Sequence, residues 1–245
     1  MQTNQFLELN LSKEVLKALE DMGFSEATKI QKEAIPLIME GRDVIGRSQT
    51  GTGKTGAFGI PAVEMVTAPD KNQVQVLVLC PTRELAMQAC DEIKKFAKYK
   101  SVVKPVAVYG GAPIEKQIMS LKKGANIVIG TPGRIMDHMR RRTIKFSALK
   151  MVILDEADEM LNMGFREDIE TILSEVPDER QTILFSATMP PSIMAITKEY
   201  QTEPKLIEVA KGKQTVDAIE QYSYEVPMGR KMDTLKILII LRRNP

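Results

Sequence analysis

Ser48-Gln49-Thr50-Gly51-Thr52-Gly53-Lys54-Thr55 decides the reading of this chain. It stands between a short apolar run, 43–46, and a segment of helical spacing, 56–66, that is expected to kink at Pro61. Gly51 and Gly53 let the backbone turn tightly and bring its N–H groups close to phosphate oxygens. The helix that follows aims its positive end at the same anion. Lys54 is then placed to reach the β- and γ-phosphates of a nucleoside triphosphate, and the Thr55 hydroxyl to hold magnesium. The general phosphate-loop pattern has glycine where Ser48 stands, but a small residue there keeps the turn.

Outward from this loop, short apolar runs recur at 43–46, 74–80, 104–109, 126–129, 151–154, 182–185 and 205–209. Most are nearly continuous Val, Ile and Leu, the pattern of strands buried on both faces of a parallel sheet. Between them lie segments with helical spacing: 11–22, stopped by Gly23, then 56–66, 84–97 and 114–123. The alternation predicts an α/β fold, a mostly parallel sheet with helices on both faces. Six of the runs lead directly into small, polar or charged residues. After the phosphate loop come Pro81-Thr82-Arg83-Glu84, Gly110-Gly111, Thr131-Pro132-Gly133-Arg134, Asp155-Glu156-Ala157-Asp158 and Ser186-Ala187-Thr188. In an open parallel sheet the carboxyl ends share one edge, where ligands bind, so these motifs are expected to converge on one rim.

Asp155 and Glu156 end the buried run Met151-Val152-Ile153-Leu154. Beside a phosphate loop, the first carboxylate suits a magnesium-holding role and the second can activate an attacking water. Taken alone, the pair also fits an acidic helix N-terminus favoured by the dipole.

The bulk numbers exclude more than they assert. The chain of 245 residues, 43% hydrophobic and 27% charged, can bury a sizeable core. A net charge of +2 does not announce a nucleic-acid binder, and Lys94-Lys95, Lys122-Lys123 and Arg140-Arg141-Arg142 read as solvated helix faces. Cys80 and Cys90 form no CxxC pair, which argues against a zinc or redox motif and suits a reducing cytoplasm. His138 is the single histidine. No run is long enough to span a membrane, and residues 1–10 lack a signal-peptide core.

The ordered motif set resembles the DEAD-box ATP-dependent RNA helicases, and specifically their first RecA-like domain. Asp155-Glu156-Ala157-Asp158 spells the family's name; Gly23-Phe24-Ser25-Glu26-Ala27-Thr28-Lys29-Ile30-Gln31 resembles its Q motif, with Phe6 at the upstream aromatic position. The resemblance implies ATP with magnesium: Gln31 reading adenine, Phe6 packing on the base, Glu26 lining its pocket, and the loop Ser48, Gln49, Thr50, Gly51, Thr52, Gly53, Lys54, Thr55 cradling phosphate. It implies Thr55 and Asp155 as magnesium holders, the latter through water, and Glu156 as catalytic base. Pro81, Thr82, Arg83, Gly110, Gly111, Thr131, Gly133 and Arg134 are implied to grip an RNA backbone without reading its sequence. Asp158, Ser186 and Thr188 are implied to couple the two sites. Ala27 departs from the proline usual at that position.

The resemblance also implies an organisation: residues 1–210 as the first helicase domain, 211–217 as linker, and 218–245 as the start of a second domain, with a strand at 219–226 and a helix at 231–243. Nothing in the sequence resembles the second domain's arginine-rich motifs, so weak nucleotide binding, poor hydrolysis and no unwinding are expected of this polypeptide alone. The apolar run through Leu235, Ile237, Leu238, Ile239, Ile240 and Leu241 is expected to favour self-association or disorder. The alternatives are a different phosphate-loop ATPase, such as a DNA translocase, and a regulatory half-helicase that binds without turnover; the Q motif disfavours the first and the intact catalytic set the second.

Overall fold

The computed structural model describes residues 5–49, 51–68, 73–209, 222–227 and 229–243. Among these residues seven strands are formed: β1 (Val44–Arg47), β2 (Val76–Leu79), β3 (Pro105–Val108), β4 (Ile127–Gly130), β5 (Met151–Leu154), β6 (Gln181–Ser186) and β7 (Lys205–Glu208). They make one sheet in the order β3-β4-β2-β5-β6-β1-β7, and every neighbouring pair is parallel. Each strand falls on one of the apolar runs read from the sequence.

The sheet is covered on both faces because its side chains alternate. Val76 and Val78 of β2 join one apolar layer, while Leu77 and Leu79 join the other. The first layer is built by α1 (Lys13–Asp21), α2 (Lys29–Met39), α3 (Lys54–Met65) and α4 (Arg83–Phe96). The second is built by α5 (Ile114–Lys122), α6 (Pro132–Arg140), α7 (Ala157–Asn162), α8 (Arg166–Ser174) and α9 (Pro191–Tyr200). Helix α1 illustrates the local logic: Ser12 caps it by accepting from the Val15 N–H, and Val15, Ala18 and Leu19 turn inward.

Close packing fixes β1 against β6. Gly46 and Phe185 are register partners, and a Cβ at Gly46 would lie 2.2 Å from the Phe185 ring. That ring packs on Phe58 of α3 at 5.8 Å between centroids, so the missing side chain lets the phosphate-loop strand and the helix after it sit together. The open sheet edges carry protective features. Pro105 begins β3 on one edge, where a missing N–H costs nothing, and the exposed Lys205 and Glu208 flank β7 on the other.

Helix α3 continues through Pro61 to Met65. Helices α2, α6, α7, α8 and α9 were not among the segments read as helical from the sequence. Pro36 obscures the spacing of α2, although Ile30, Ala34, Ile35 and Ile38 all face the core.

The chain divides into two compact units, Met1–Ala210 and Lys211–Pro245. In the second, α10 (Lys231–Arg243) forms, with Leu235, Ile237 and Ile240 exposed. The linker expected at 211–217 lies outside the described residues. Of the strand expected at 219–226, residues 222–226 are described and form no strand, since they pair with no ladder partner. Among the described residues no helix is long and apolar enough to cross a membrane.

Candidate functional site

Strand order divides the rim in two. The ends of β5, β6 and β1 carry the acidic pair, Ser186 and the phosphate loop; the ends of β3, β4 and β2 carry Gly110-Gly111, Thr131 to Arg134, and Pro81 to Arg83.

On the first half, α3 begins at Lys54, capped by Gly53 in the left-handed conformation (φ 90°). A side chain at 53 would meet Gln31 Nε2 at 2.7 Å, so glycine is required by both conformation and space. Lys54 is buried. Its Nζ lies 3.5 Å from Glu156 Oε1 and 3.8 Å from Asp155 Oδ1. The latter is an ion-pair distance but too long for a hydrogen bond, and Asp155 Oδ1 is buried with no hydrogen-bond partner. Burial pushes the Asp155 carboxyl up to about 6; the Lys54 ammonium opposes this, while Glu156 and Glu92 add to it. Glu156 itself caps α7 in the left-handed region (φ 53°), an unusual conformation for a residue with a side chain. Such outliers cost on the order of 1 kcal/mol and cluster at functional sites.

These groups share a cleft of about 310 Å³ lined by Gln31, Gly53, Lys54, Thr55, Asp155 and Glu156. Gln31 enters from the first turn of α2. Its Oε1 accepts from Thr28 N at 3.0 Å and its Nε2 donates to Gly53 O at 3.1 Å. One Nε2 hydrogen and one Oε1 lone pair remain, the donor and acceptor that an adenine edge requires. Gly51 also lines the cleft. Ser48 is buried, its N–H donating to Ser186 O, and Gln49 O accepts from the Thr52 hydroxyl. Thr50 lies outside the described residues.

Two residues implied for the adenine pocket lie off the wall of this cleft. Phe6 is fully buried and its ring packs on Phe24 at 6.2 Å; Phe24 and Phe96 line the cleft instead. The reason is the anchoring of the 3₁₀ turn Gln5–Leu9. Gln5 N donates to Ser25 O, and Gln5 Oε1 accepts from Ala27 N, which draws Phe6 beneath the loop. Glu26 is exposed on that loop and does not line the cleft. Gln88 and Glu92 of α4 do line it. Their spacing of four residues was legible as one helix face, but no motif pointed to it.

Thr55 and the unpartnered Asp155 oxygen are hard oxygen donors in the same cleft, and they fit magnesium brought with a nucleotide. Among the described residues no cluster of three or more His, Cys, Asp or Glu is placed to hold an ion unaided. Next to this half, the Asp158 carboxylate accepts from Thr188 N (2.9 Å) and Thr188 Oγ1 (2.7 Å), and the Ser186 hydroxyl donates to Thr188 O (2.6 Å). Burial acts to raise Asp158, but the hydrogen bonds from the Thr188 hydroxyl and from the Thr188 and Ala187 N–H groups outweigh it and hold the carboxyl below its ordinary value.

On the second half, Thr82 caps α4 and Thr131 precedes α6, whose first residue is Pro132. Arg83 is exposed, its guanidinium 5.0 Å over the Tyr109 ring. Gly110, Gly111 and Gly133 are exposed, Pro81 is buried, and Arg134 is half-buried with Nη1 donating to Ala112 O at 3.0 Å. The sequence motifs of this half are thus brought together, one strand apart from each other and alongside the half that carries the phosphate loop.

The fold and cleft define a RecA-like phosphate-loop domain. A family model described as DEAD/DEAH box helicase matches residues 28–196, and the chain belongs to that family. The DEAD-box ATP-dependent RNA helicase CshA of Geobacillus kaustophilus is 53% identical over 234 residues, covering 96% of this chain and 50% of that protein. The same-named protein of Bacillus subtilis is 50% identical over 237 residues, covering 97% and 48%. The chain therefore spans about half the length of the curated relatives it matches. Among solved structures, a DEAD box protein from the hyperthermophile Methanococcus jannaschii superposes with TM-score 0.79 at 42% identity, covering 96% of this chain and 62% of that one.

Proposed function

We propose that this chain is the nucleotide-binding part of an ATP-dependent RNA helicase. The observation that carries the reading is the single cleft shared by the phosphate loop, the acidic pair and Gln31. Lys54 leaves its two carboxylates to bind the β- and γ-phosphates, and the Gly51 to Thr55 backbone cradles them. Thr55 and Asp155 hold magnesium, which neutralises charge on the phosphates when bound. Glu156 orients the attacking water and accepts its proton, so that the γ-phosphoryl group passes to water and leaves ADP. Gln31 reads adenine with its remaining hydrogen and lone pair, over the aromatic wall of Phe24. Arg83, Thr82, the Gly110-Gly111 turn, Thr131, Gly133 and Arg134 hold RNA phosphates and 2′-hydroxyls, largely independent of sequence. Asp158, Ser186 and Thr188 link the halves.

In this reading residues 1–210 form the first helicase domain, 211–217 a connector and 218–245 the start of a second domain that supplies a γ-phosphate-contacting arginine. Such an arginine is worth several orders of magnitude in phosphoryl transfer. The chain by itself therefore binds ATP or ADP and RNA weakly and turns over slowly. Two free, buried cysteines suit the cytoplasm.

Titration of the chain with fluorescent ADP and GDP in magnesium tests the reading. ADP is expected to bind about tenfold or more tighter than GDP, and Lys54→Ala to abolish binding. Equal affinity for the two bases, or binding that survives Lys54→Ala, refutes it.

A further inference from the structure

Three rim segments, Arg83, the Gly110-Gly111 turn and Arg134, come from different strand ends, yet one buried amide ties them together. Gln117 of α5 donates from Nε2 to Tyr109 O at 3.0 Å, immediately before the glycine turn. Its Oε1 accepts from Arg134 Nη1 at 3.0 Å. The second Nη1 hydrogen goes to Ala112 O, immediately after the same turn. Tyr109 in turn carries the Arg83 guanidinium over its ring. The turn is therefore held at both ends, once by Gln117 and once by Arg134.

The amide can face only one way. Flipping it would set an NH₂ group against a guanidinium and a carbonyl against a carbonyl, losing both bonds. With Oε1 so fixed, its other neighbour, His138 Nε2 at 3.1 Å, must carry a hydrogen. His138 is fully buried, and its Nδ1 lies 2.8 Å from the Thr143 hydroxyl. The Thr143 hydroxyl has two acceptors in reach, His138 Nδ1 at 2.8 Å and His138 O at 3.1 Å; the latter already accepts from Thr143 N, so in the neutral ring the hydroxyl's one hydrogen goes to Nδ1. Burial, with the nearby Arg134 charge, favours the neutral ring. Both Nη1 hydrogens of Arg134 are now occupied. Nε faces Asp137 Oδ2 at 4.0 Å, an ion-pair distance beyond hydrogen-bond reach, so Nε and Nη2 keep their hydrogens for the oxygens of a phosphate that competes with Asp137.

We infer that Gln117 and His138 are positioning residues that hold Arg134 and the Gly110-Gly111 turn in an RNA-binding arrangement. The inference rests on the reading of that half of the rim as an RNA grip. Neither residue lines the nucleotide cleft.

The test measures binding of a short fluorescent single-stranded RNA and of fluorescent ADP to the chain and its variants. Gln117→Leu is expected to weaken RNA binding about tenfold, as loss of a buried charge-assisted hydrogen bond does, and to leave ADP affinity within about twofold. Gln117→Glu keeps both acceptor bonds and is expected to recover part of the RNA affinity. Because His138 is the single histidine, its nitrogen-15 imidazole signals are unambiguous and are expected to show the Nε2–H tautomer in the unsubstituted chain, whether or not Gln117→Leu folds. An Nδ1–H tautomer overturns the network. RNA affinity that falls in Arg134→Ala but not in Gln117→Leu overturns the positioning role alone. RNA affinity unchanged in Arg134→Ala overturns the RNA reading of the rim, and this inference with it.

Discussion

Two aspartates stand at opposite ends of the sheet with almost the same burial, 8% exposed for Asp43 and 7% for Asp155. Asp43 precedes β1 at the amino end. Its Oδ1 accepts from Thr182 N and its Oδ2 from Thr202 N, each at 2.7 Å, so both oxygens staple backbone that has no other ladder partner there. Asp155 ends β5 at the carboxyl end, with one oxygen unpartnered and a lysine held just beyond hydrogen-bond reach. The same residue type is thus structural at one end and poised at the other. The difference lies in what the backbone offers: strand starts and loops can turn N–H groups onto a carboxylate, whereas the open end leaves its oxygens to a ligand. A satisfied buried charge contributes to stability, while an unsatisfied one opposes it.

The sharpest way to break this comparison is Asp43→Ala. It orphans the buried Thr182 N–H and removes the partner of the Thr202 N–H, which belongs to an exposed residue; a loss of about 2–3 kcal/mol in urea unfolding is expected, mostly from the first, with ADP affinity unchanged in the remaining folded protein. A loss below about 1 kcal/mol would show that the two ends do not differ as described.

Asp155→Asn works in the opposite sense. Its folded-state carboxyl titrates at about 6 against an ordinary 3.8. A raised value means the folded protein binds the proton more tightly. This group's stabilising contribution is therefore present below pH about 4 and is lost as pH rises through about 6. In the metal- and nucleotide-free chain, Asp155→Asn is expected to remove that decline and to melt higher than the unsubstituted protein above neutral pH, while losing magnesium-dependent nucleotide binding. Thermal melts across the pH range, compared between the two proteins, read this directly, and identical pH profiles contradict it.

The smallest effect concerns Asp158, a rim carboxylate that does find partners. Thr188→Val removes one hydroxyl donor from a partly exposed group and is expected to cost under about 1 kcal/mol. A larger loss in the same unfolding assay would mean that Asp158 is as much a staple as Asp43.

The sequence made much of this legible, for definite physical reasons. Buried parallel strands are short and apolar on both faces, so β2, β4 and β5 appear as continuous runs of apolar residues, while the edge strands β3 and β7 show weaker ones. Lys54, Asp155 and Glu156 stood out as candidates because phosphate chemistry dictates both residue type and place, and the structure brings the three into one cleft. What stayed hidden depends on contacts between distant segments. That Phe6 lies buried follows from Gln5 bonding to Ser25 and Ala27, contacts with no signature in residue type. Helix α2 was hidden by Pro36, and α7 by its brevity. Gln117 and His138 carry no motif, because their meaning comes from partners 17 to 21 residues away. The left-handed Glu156 has no signature in residue type at all.

The pairing of Gly46 with Phe185 has a consequence for how such a sequence can drift. With the ring 2.2 Å from where a Cβ would stand, neither position can change freely: alanine at 46 demands a smaller side chain at 185, and that smaller side chain leaves a void beside Phe58 unless alanine fills it. Each single step passes through a worse-packed intermediate, so the two sites are expected to vary jointly across descendants of this fold or not at all. The strand that leads to the phosphate loop is held in place by this historical constraint as well as by its chemistry.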